Sequence, residues 1–310
     1  MGDFAFQAPD GIRVTVYHWL PETGSQTRAV VQIAHGMAEH AARYERFARA
    51  LCAAGFAVYA NDHRGHGRTA GTLENLGYFA GANGWDRVVA DMRQLSGIIR
   101  ERHPGRPLFL FGHSMGSLLA RSYITLHGAG LGGVLLSGTP ADPGLLGRVG
   151  LTAARLVACC KGRRAPSPLL NALSFGKFNQ NFKPNRTHFD WLSRDEAEVD
   201  LYVADPFCGG VFAAGFFIDL LTGMRRLHDP ASLRRIPEDL PLLFLSGGMD
   251  PCGGGEGGVR KTCEAYQKAG LRDVAVKIYP QARHELLNEI NREEVFADVV
   301  AWMNRRVPVT

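Results

Sequence analysis

The chain has 310 residues, 45% hydrophobic and 21% charged, enough for one large α/β domain with an insertion or for two modest domains, and not the composition of a disordered chain. Its 35 basic and 30 acidic residues leave a net charge of +5 spread along the sequence, which excludes a nucleic-acid-binding footprint. The longest apolar stretch, Val211 to Ile218, is too short to span a bilayer.

In chain order, the N-terminus lacks the basic and long apolar regions of a signal peptide, and Phe6 stands where a myristoylation signal needs Ser or Thr. Arg13 to Trp19 and Ala29 to Ala34 read as strands. Tyr44 to Ala54 has apolar residues at helical spacing and stops at Gly55. Phe56 to Ala60 is a strand, and Trp85 to Arg102 a long helix closed by Pro104 and Gly105. Leu108 to Phe111 is a strand, Met115 to Leu126 a helix, and Val134 to Leu136 a strand. This alternation predicts βαβ crossovers and a mostly parallel sheet, with continuous apolar strands at its centre.

From Thr139 to Asp229 the alternation gives way to a helical pattern punctuated by Pro166, Pro168, Pro184 and Pro206. It resumes with a strand over Leu242 to Leu245, a helix over Val259 to Ala269, a strand over Val274 to Ile278 and a helix over Arg292 to Asn304. The expectation is a core domain over residues 1–138 and 230–310, interrupted by a helical cap over 139–229.

Gly112-His113-Ser114-Met115-Gly116 is a G-x-S-x-G motif. Chance alone supplies such a match on the order of 0.1–0.2 times in a chain of this composition, so its position between a buried strand and a helix carries the argument. A serine on that sharp turn leaves no room for side chains two residues away on either side. The helix that starts at Met115 offers free N–H groups and its dipole to charge developing in acyl transfer. Ser114 is therefore the expected nucleophile.

It needs a base, and the base needs an orienting acid, in the chain order Ser, Asp or Glu, His. Asp250 lies just past the strand Leu242–Leu245, and His284 just past the strand Val274–Ile278. Both positions lie beyond the carboxyl ends of strands, where sites gather in open α/β sheets. Asp250 is read as the acid and His284 as the general base, with Asp142 as a fallback acid. For the oxyanion hole, the N–H groups of Met115 and Met37 are the expected donors, with Gly36 giving the backbone its turn.

His284-Glu285-Leu286-Leu287-Asn288 has only a superficial likeness to the H-E-x-x-H zinc motif, since Asn288 replaces the second ligand, and no metal is implied. His63 and His66 read as a structural turn beside the site. The six cysteines have neither disulfide-framework nor zinc spacing, which fits reduced thiols in a cytoplasmic protein.

His35-Gly36-Met37-Ala38-Glu39-His40, Asp62-His63-Arg64-Gly65-His66-Gly67, the Ser114 motif, Asp250 and His284 together resemble the monoacylglycerol lipase and lysophospholipase branch of the serine α/β-hydrolases. The resemblance runs from about residue 10 to residue 305. It implies the α/β-hydrolase fold, hydrolysis of a glycerol or glycerophospholipid ester without metal or organic cofactor, and a cap that admits an acyl chain. Asp205-Pro206-Phe207-Cys208-Gly209-Gly210 looks like a segment of bacterial members, and the apolar run after it suggests Phe207, Phe212 and Phe216 as substrate-binding residues.

That run is read as the lining of an acyl tunnel or as a packed cap helix, with transient membrane contact as a third reading. Lys161, Arg163 and Arg164 form the one dense basic cluster, read as a solvated loop rather than a lipid-headgroup contact. Thioesterase and short-chain carboxylesterase are rival activities. An aminopeptidase would need an acidic patch for the substrate amine, for which Asp195, Glu196 and Glu198 are candidates. A non-catalytic ligand-binding protein on the same fold is the alternative from outside enzymology.

Overall fold

The computed structural model describes residues 1–22 and 26–308; residues 23–25, 309 and 310, which the sequence reading includes in the core domain, lie outside the described residues. Eight strands form one sheet: β1 Gly2–Gln7, β2 Arg13–Trp19, β3 Ala29–Ala34, β4 Phe56–Asn61, β5 Leu108–His113, β6 Gly133–Ser137, β7 Leu242–Gly247 and β8 Val274–Tyr279. Their order is β1-β2-β4-β3-β5-β6-β7-β8. β2 pairs antiparallel with β1 and β4, and every pair from β4 to β8 is parallel. This is the mostly parallel sheet that the alternation of elements predicted, in the α/β-hydrolase arrangement that the resemblance implied.

The helices are α1 Glu45–Ala53, α2 Gly84–Arg102, α3 Met115–His127, α4 Gly144–Lys161, α5 Pro168–Phe175, α6 Glu196–Ala204, α7 Ala214–Leu227, α8 Pro230–Leu233, α9 Gly255–Lys268 and α10 Arg292–Asn304. Side chains alternate along the central strands, so each strand serves two cores. On β5, Phe109 and Phe111 pack with Phe47 of α1 and Phe296 of α10. Leu110, between them, packs with Leu118 of α3 and Met92 of α2. Burial on both faces explains why β3, β4 and β5 read as continuous apolar runs.

β1 escapes a sequence reading because it is an edge strand whose only apolar stretch, Phe4-Ala5-Phe6, is too short to mark a strand, while Asp3 and Gln7 are exposed. Between β6 and β7 the chain leaves the sheet for α4 to α8. No helix among the described residues is long and apolar enough to cross a membrane.

The turn after β5 is set by two close approaches. A Cβ on Gly112 would lie 2.5 Å from the Gly116 carbonyl oxygen, and one on Gly116 would lie 2.0 Å from that of Ala34 on β3. Glycine at both positions lets α3 start directly against the end of the sheet.

Candidate active site

The segments after β3, β5 and β8 line one cavity, and the segment after β7 sets Asp250 behind His284. Ser114 links β5 to α3 with φ 51° and ψ −119°, a left-handed conformation rare for a side-chain-bearing residue. Its own N–H donates to the Ser137 carbonyl of β6 at 2.9 Å, which fixes the turn. Among the described residues, the N–H of Met115 at the first position of α3 donates to no protein group.

Asp250 and His284, separated by 34 positions in sequence, meet after β7 and β8. His284 Nδ1 lies 3.0 Å from both Asp250 carboxylate oxygens. Asp250 also accepts the Cys252 N–H at 2.9 Å, which holds the carboxylate in place. Both residues are buried. Burial alone would lower the His284 pKa, but the charge of Asp250 and its hydrogen bond outweigh burial and hold it above the ordinary histidine value. A ring with Nδ1–H bound to a carboxylate presents Nε2 as a base.

His284 and Ser114 line the same cavity, of about 940 Å³. The fallback acid is elsewhere: Asp142 is exposed, accepts the Gly144 N–H, and lies 3.9 Å from His228.

The loop after β3 carries the other expected donor. Gly36 N–H is taken by Glu39 Oε1 at 2.5 Å, whereas among the described residues Met37 N–H has no protein acceptor. Met37 and Ser114 both line the cavity. The Met115 side chain points away, into the core shared with Leu118 and Leu119.

A buried polar network holds this loop, and sequence reasoning missed it. Glu39 accepts from Tyr44 Oη and Arg43 Nη1, each at 2.8 Å. Arg43 also grips both carboxylate oxygens of Glu285 at 2.8 Å. Glu285 follows His284 directly, so Arg43 ties the candidate oxyanion loop to the loop of the candidate base. Burial would raise the Glu285 pKa, but Arg43 overrides it and holds the carboxyl low. The available signal was position alone: Glu39 sits inside the His35–His40 motif.

Below the loop lie three buried histidines. His35 Nε2 accepts the His63 N–H at 2.9 Å, and its Nδ1 lies 2.8 Å from the Gly36 carbonyl oxygen, so Nδ1 carries the proton. Burial and mutual repulsion push His63 down to about 3, and burial pushes His66 down to about 4. Both support the loop rather than facing the cavity, in keeping with their structural reading.

The cap-residue expectation needs correction. Phe207, Phe212 and Phe216 do not line the cavity. Phe212 and Phe216 are 2% and 0% exposed, packed on each other and on His66. A segment apolar all round is one packed on every side, here the buried start of α7. The same burial keeps this run from touching a membrane: from Val211 to Ile218, Val211 alone is exposed. The cavity is instead walled by Phe175 of α5, Phe189, Trp191 and Tyr202, with polar Asn179 and Gln180. Trp191 packs with its ring centre 5.0 Å from that of His284.

Asp195, Glu196 and Glu198 are not in the cavity lining either. Asp195 pairs with Arg292 at 2.8 Å and Glu198 with Arg46 at 2.7 Å.

Residues 25–291 match the sequence profile of the family described as serine aminopeptidase, S33. A monoacylglycerol lipase of Mycolicibacterium smegmatis is 31% identical over 97% of this chain and 96% of its own. The human monoglyceride lipase is 30% identical over 96% of this chain and 88% of its own. The crystal structure of a thermostable carboxyl esterase from Bacillus coagulans, in complex with glycerol, superposes with a TM-score of 0.92 at 28% identity, covering 99% of both chains. The chain belongs to the S33-type serine α/β-hydrolases, in their monoacylglycerol lipase branch, and is a serine hydrolase.

Proposed function

We propose that this hydrolase cleaves monoacylglycerol-type carboxylic esters through a Ser114–His284–Asp250 triad and an acyl-enzyme. The observation that carries the reading is His284 Nδ1 held 3.0 Å from both oxygens of Asp250, in the cavity that Ser114 also lines. His284 Nε2 takes the Ser114 proton as Oγ attacks the ester carbonyl carbon. The N–H groups of Met37 and Met115 receive the oxyanion, and Asp250 stabilises the imidazolium. Collapse of the adduct expels the alcohol oxygen, which takes the proton from His284. Water then attacks the acyl-enzyme with His284 again as base, releasing the acid and restoring Ser114. No step calls on a metal or organic cofactor.

The substrate part of the proposal rests on the cavity and the relatives together. A volume of about 940 Å³ with an aromatic wall suits an acyl chain, and the polar side suits a glycerol head. The helices over residues 139–229 act as the cap. An aminopeptidase reading finds no support, because its candidate carboxylates lie away from the cavity, Asp195 and Glu198 in ion pairs with arginines.

The cap also suggests where the substrate is collected. Leu145, Leu146, Val149 and Leu156 of α4 and Leu169 and Leu173 of α5 are exposed, Leu146 at 81%. Residues 143–189 contain no Asp or Glu but eight cations: Arg148, Arg155, Lys161, Arg163, Arg164, Lys177, Lys183 and Arg186. Arg163 and Arg186 reach carboxylates of other segments. Exposed leucines on a cation-rich stretch without acidic residues fit transient contact with an anionic lipid surface, next to Asn171, Ala172 and Phe175 of α5, which line the cavity. Six free cysteines fit a protein working in a reducing compartment such as the cytoplasm.

The test is hydrolysis of monoacylglycerols and nitrophenyl esters of graded chain length by wild type and Ser114→Ala. Ser114-dependent cleavage that favours medium or long chains supports the proposal. Activity confined to acetate and butyrate esters points to a short-chain esterase and overturns the lipid assignment.

A further inference from the structure

We propose that His40, Asp205 and Cys208 form a binding site for one divalent cation of the Zn²⁺ class, separate from the ester chemistry proposed above. His40 ends the loop that carries Met37, and Asp205 and Cys208 belong to the turn between α6 and α7. Their donor atoms, His40 Nε2, an Asp205 carboxylate oxygen and Cys208 Sγ, all lie within 4.8 Å of one another. His40 Nε2 and Asp205 Oδ2 are already 2.8 Å apart. Imidazole, carboxylate and thiolate are the donors of mixed zinc sites; a tetrahedral ion about 2.0–2.3 Å from each sets its donors roughly 3.3–3.6 Å apart, so the His40–Asp205 pair opens by about half an ångström and the Cys208 sulfur moves in. All three side chains are only partly buried, so small rotations can make these shifts.

Two further features support a cation rather than an accidental cluster. The nearby Arg43 is occupied by Glu39 and Glu285, so these three groups and Asp205 together carry a net negative charge. A surface groove of about 460 Å³ has Asp205 in its lining, so this ligand is reached from outside. Its other arginines are also paired, Arg46 with Glu198 and Arg49 with Glu45. Binding replaces the Asp205–His40 hydrogen bond. His40 coordinates through Nε2 with its proton on Nδ1, and the Cys208 thiol proton leaves to solvent as the sulfur–metal bond forms.

The turn already touches the candidate oxyanion loop: Gly209 N–H donates to the Ala38 carbonyl at 3.0 Å, and Tyr202 Oη donates to it at 2.8 Å. A bound ion would therefore fasten the cap turn to that loop at a second point.

The test is titration with Co²⁺, followed by displacement with Zn²⁺. A Cys159→Ser/Cys160→Ser background removes the exposed adjacent thiols. The expected result is one Co²⁺ per chain, with thiolate-to-cobalt charge-transfer absorption that Zn²⁺ abolishes. Cys208→Ser should remove that absorption, and Cys208→Ser, His40→Ala and Asp205→Asn should each weaken binding by about a hundredfold or more, beyond the usual loss for outer-shell partners. Circular dichroism and hydrolysis of a soluble ester by Cys208→Ser report its folding. No charge-transfer absorption, or absorption that survives Cys208→Ser, overturns the site. Because the readout is metal absorption, failure of the ester assignment leaves this test intact.

Discussion

The shelf at the ends of β3, β5, β7 and β8 and the helical excursion between β6 and β7 treat their polar and apolar groups in opposite ways. On the shelf, charges are buried and paired: Asp250 with His284, and Arg43 with Glu39 and Glu285. On α4 and α5, leucines face solvent, and among the described residues Arg148, Arg155 and Lys161 form no ion pair. The shelf has one geometry to keep, and its desolvated hydrogen bonds are costly to break. In the proposed function the excursion meets a lipid substrate arriving from outside, which fits an outer face left apolar and cationic.

Substitutions can break each side of this comparison separately. The largest expected effect is on the shelf: Ser114→Ala should lower kcat for a nitrophenyl ester by about 10⁵–10⁶, the range for losing a serine nucleophile. Asp250→Asn should cost about 10⁴ in kcat. As the proposed base, His284 must be neutral, and Asp250 holds its pKa high; wild-type activity should therefore fall with acid from a pH above the ordinary histidine value, and Asp250→Asn should move that fall to lower pH. A pH–rate profile of both proteins checks the sign.

Arg43→Met tests whether the buried network is structural. It leaves two buried carboxylates uncompensated and should destabilise the fold by about 3–5 kcal/mol in urea unfolding. Leu145→Asn/Leu146→Asn tests the other region. Stability should change by no more than about 0.5 kcal/mol per exposed site, and hydrolysis of a soluble ester should be unchanged. Cleavage of monoacylglycerol in anionic vesicles should fall by about tenfold, from losing part of the roughly 1.5–3 kcal/mol that burying a leucine provides. Equal loss on both substrates would erase the distinction between the regions.

A smaller effect comes from the histidines beneath the oxyanion loop. His63 and His66 stay neutral in the fold down to about pH 3 and 4, but an unfolded chain protonates them near about 6.5. The unfolded state then binds more protons, so each should cost about 1.4 kcal/mol of stability per pH unit as pH falls below 6.5. His66→Phe should flatten that slope in urea midpoints measured between pH 7 and pH 5.

The same contrast explains what the sequence made legible. The sheet, the turn at Ser114 and the order Ser114, Asp250, His284 were readable because local rules act there: apolar runs, flanking glycines and positions just past strand ends. β1 was not, since its apolar run, Phe4-Ala5-Phe6, is only three residues long. Glu39, Arg43 and Glu285 were not recognised as one network, because Glu39 and Arg43 are close in sequence but Glu285 is 242 positions from Arg43 and joins them only in the finished fold. The cavity wall was misplaced for a related reason: the apolarity of Phe212 and Phe216 marks burial, not contact with substrate. Residues that do line it, such as Asn179 and Trp191, carry no periodic signature.

The most direct test of the central claim is intact-protein and peptide mass spectrometry after exposure to a fluorophosphonate. One adduct per chain on Ser114, absent from Ser114→Ala and formed far more slowly in Asp250→Asn, is the predicted result. An adduct on another residue, or no adduct on folded wild-type protein, would contradict it.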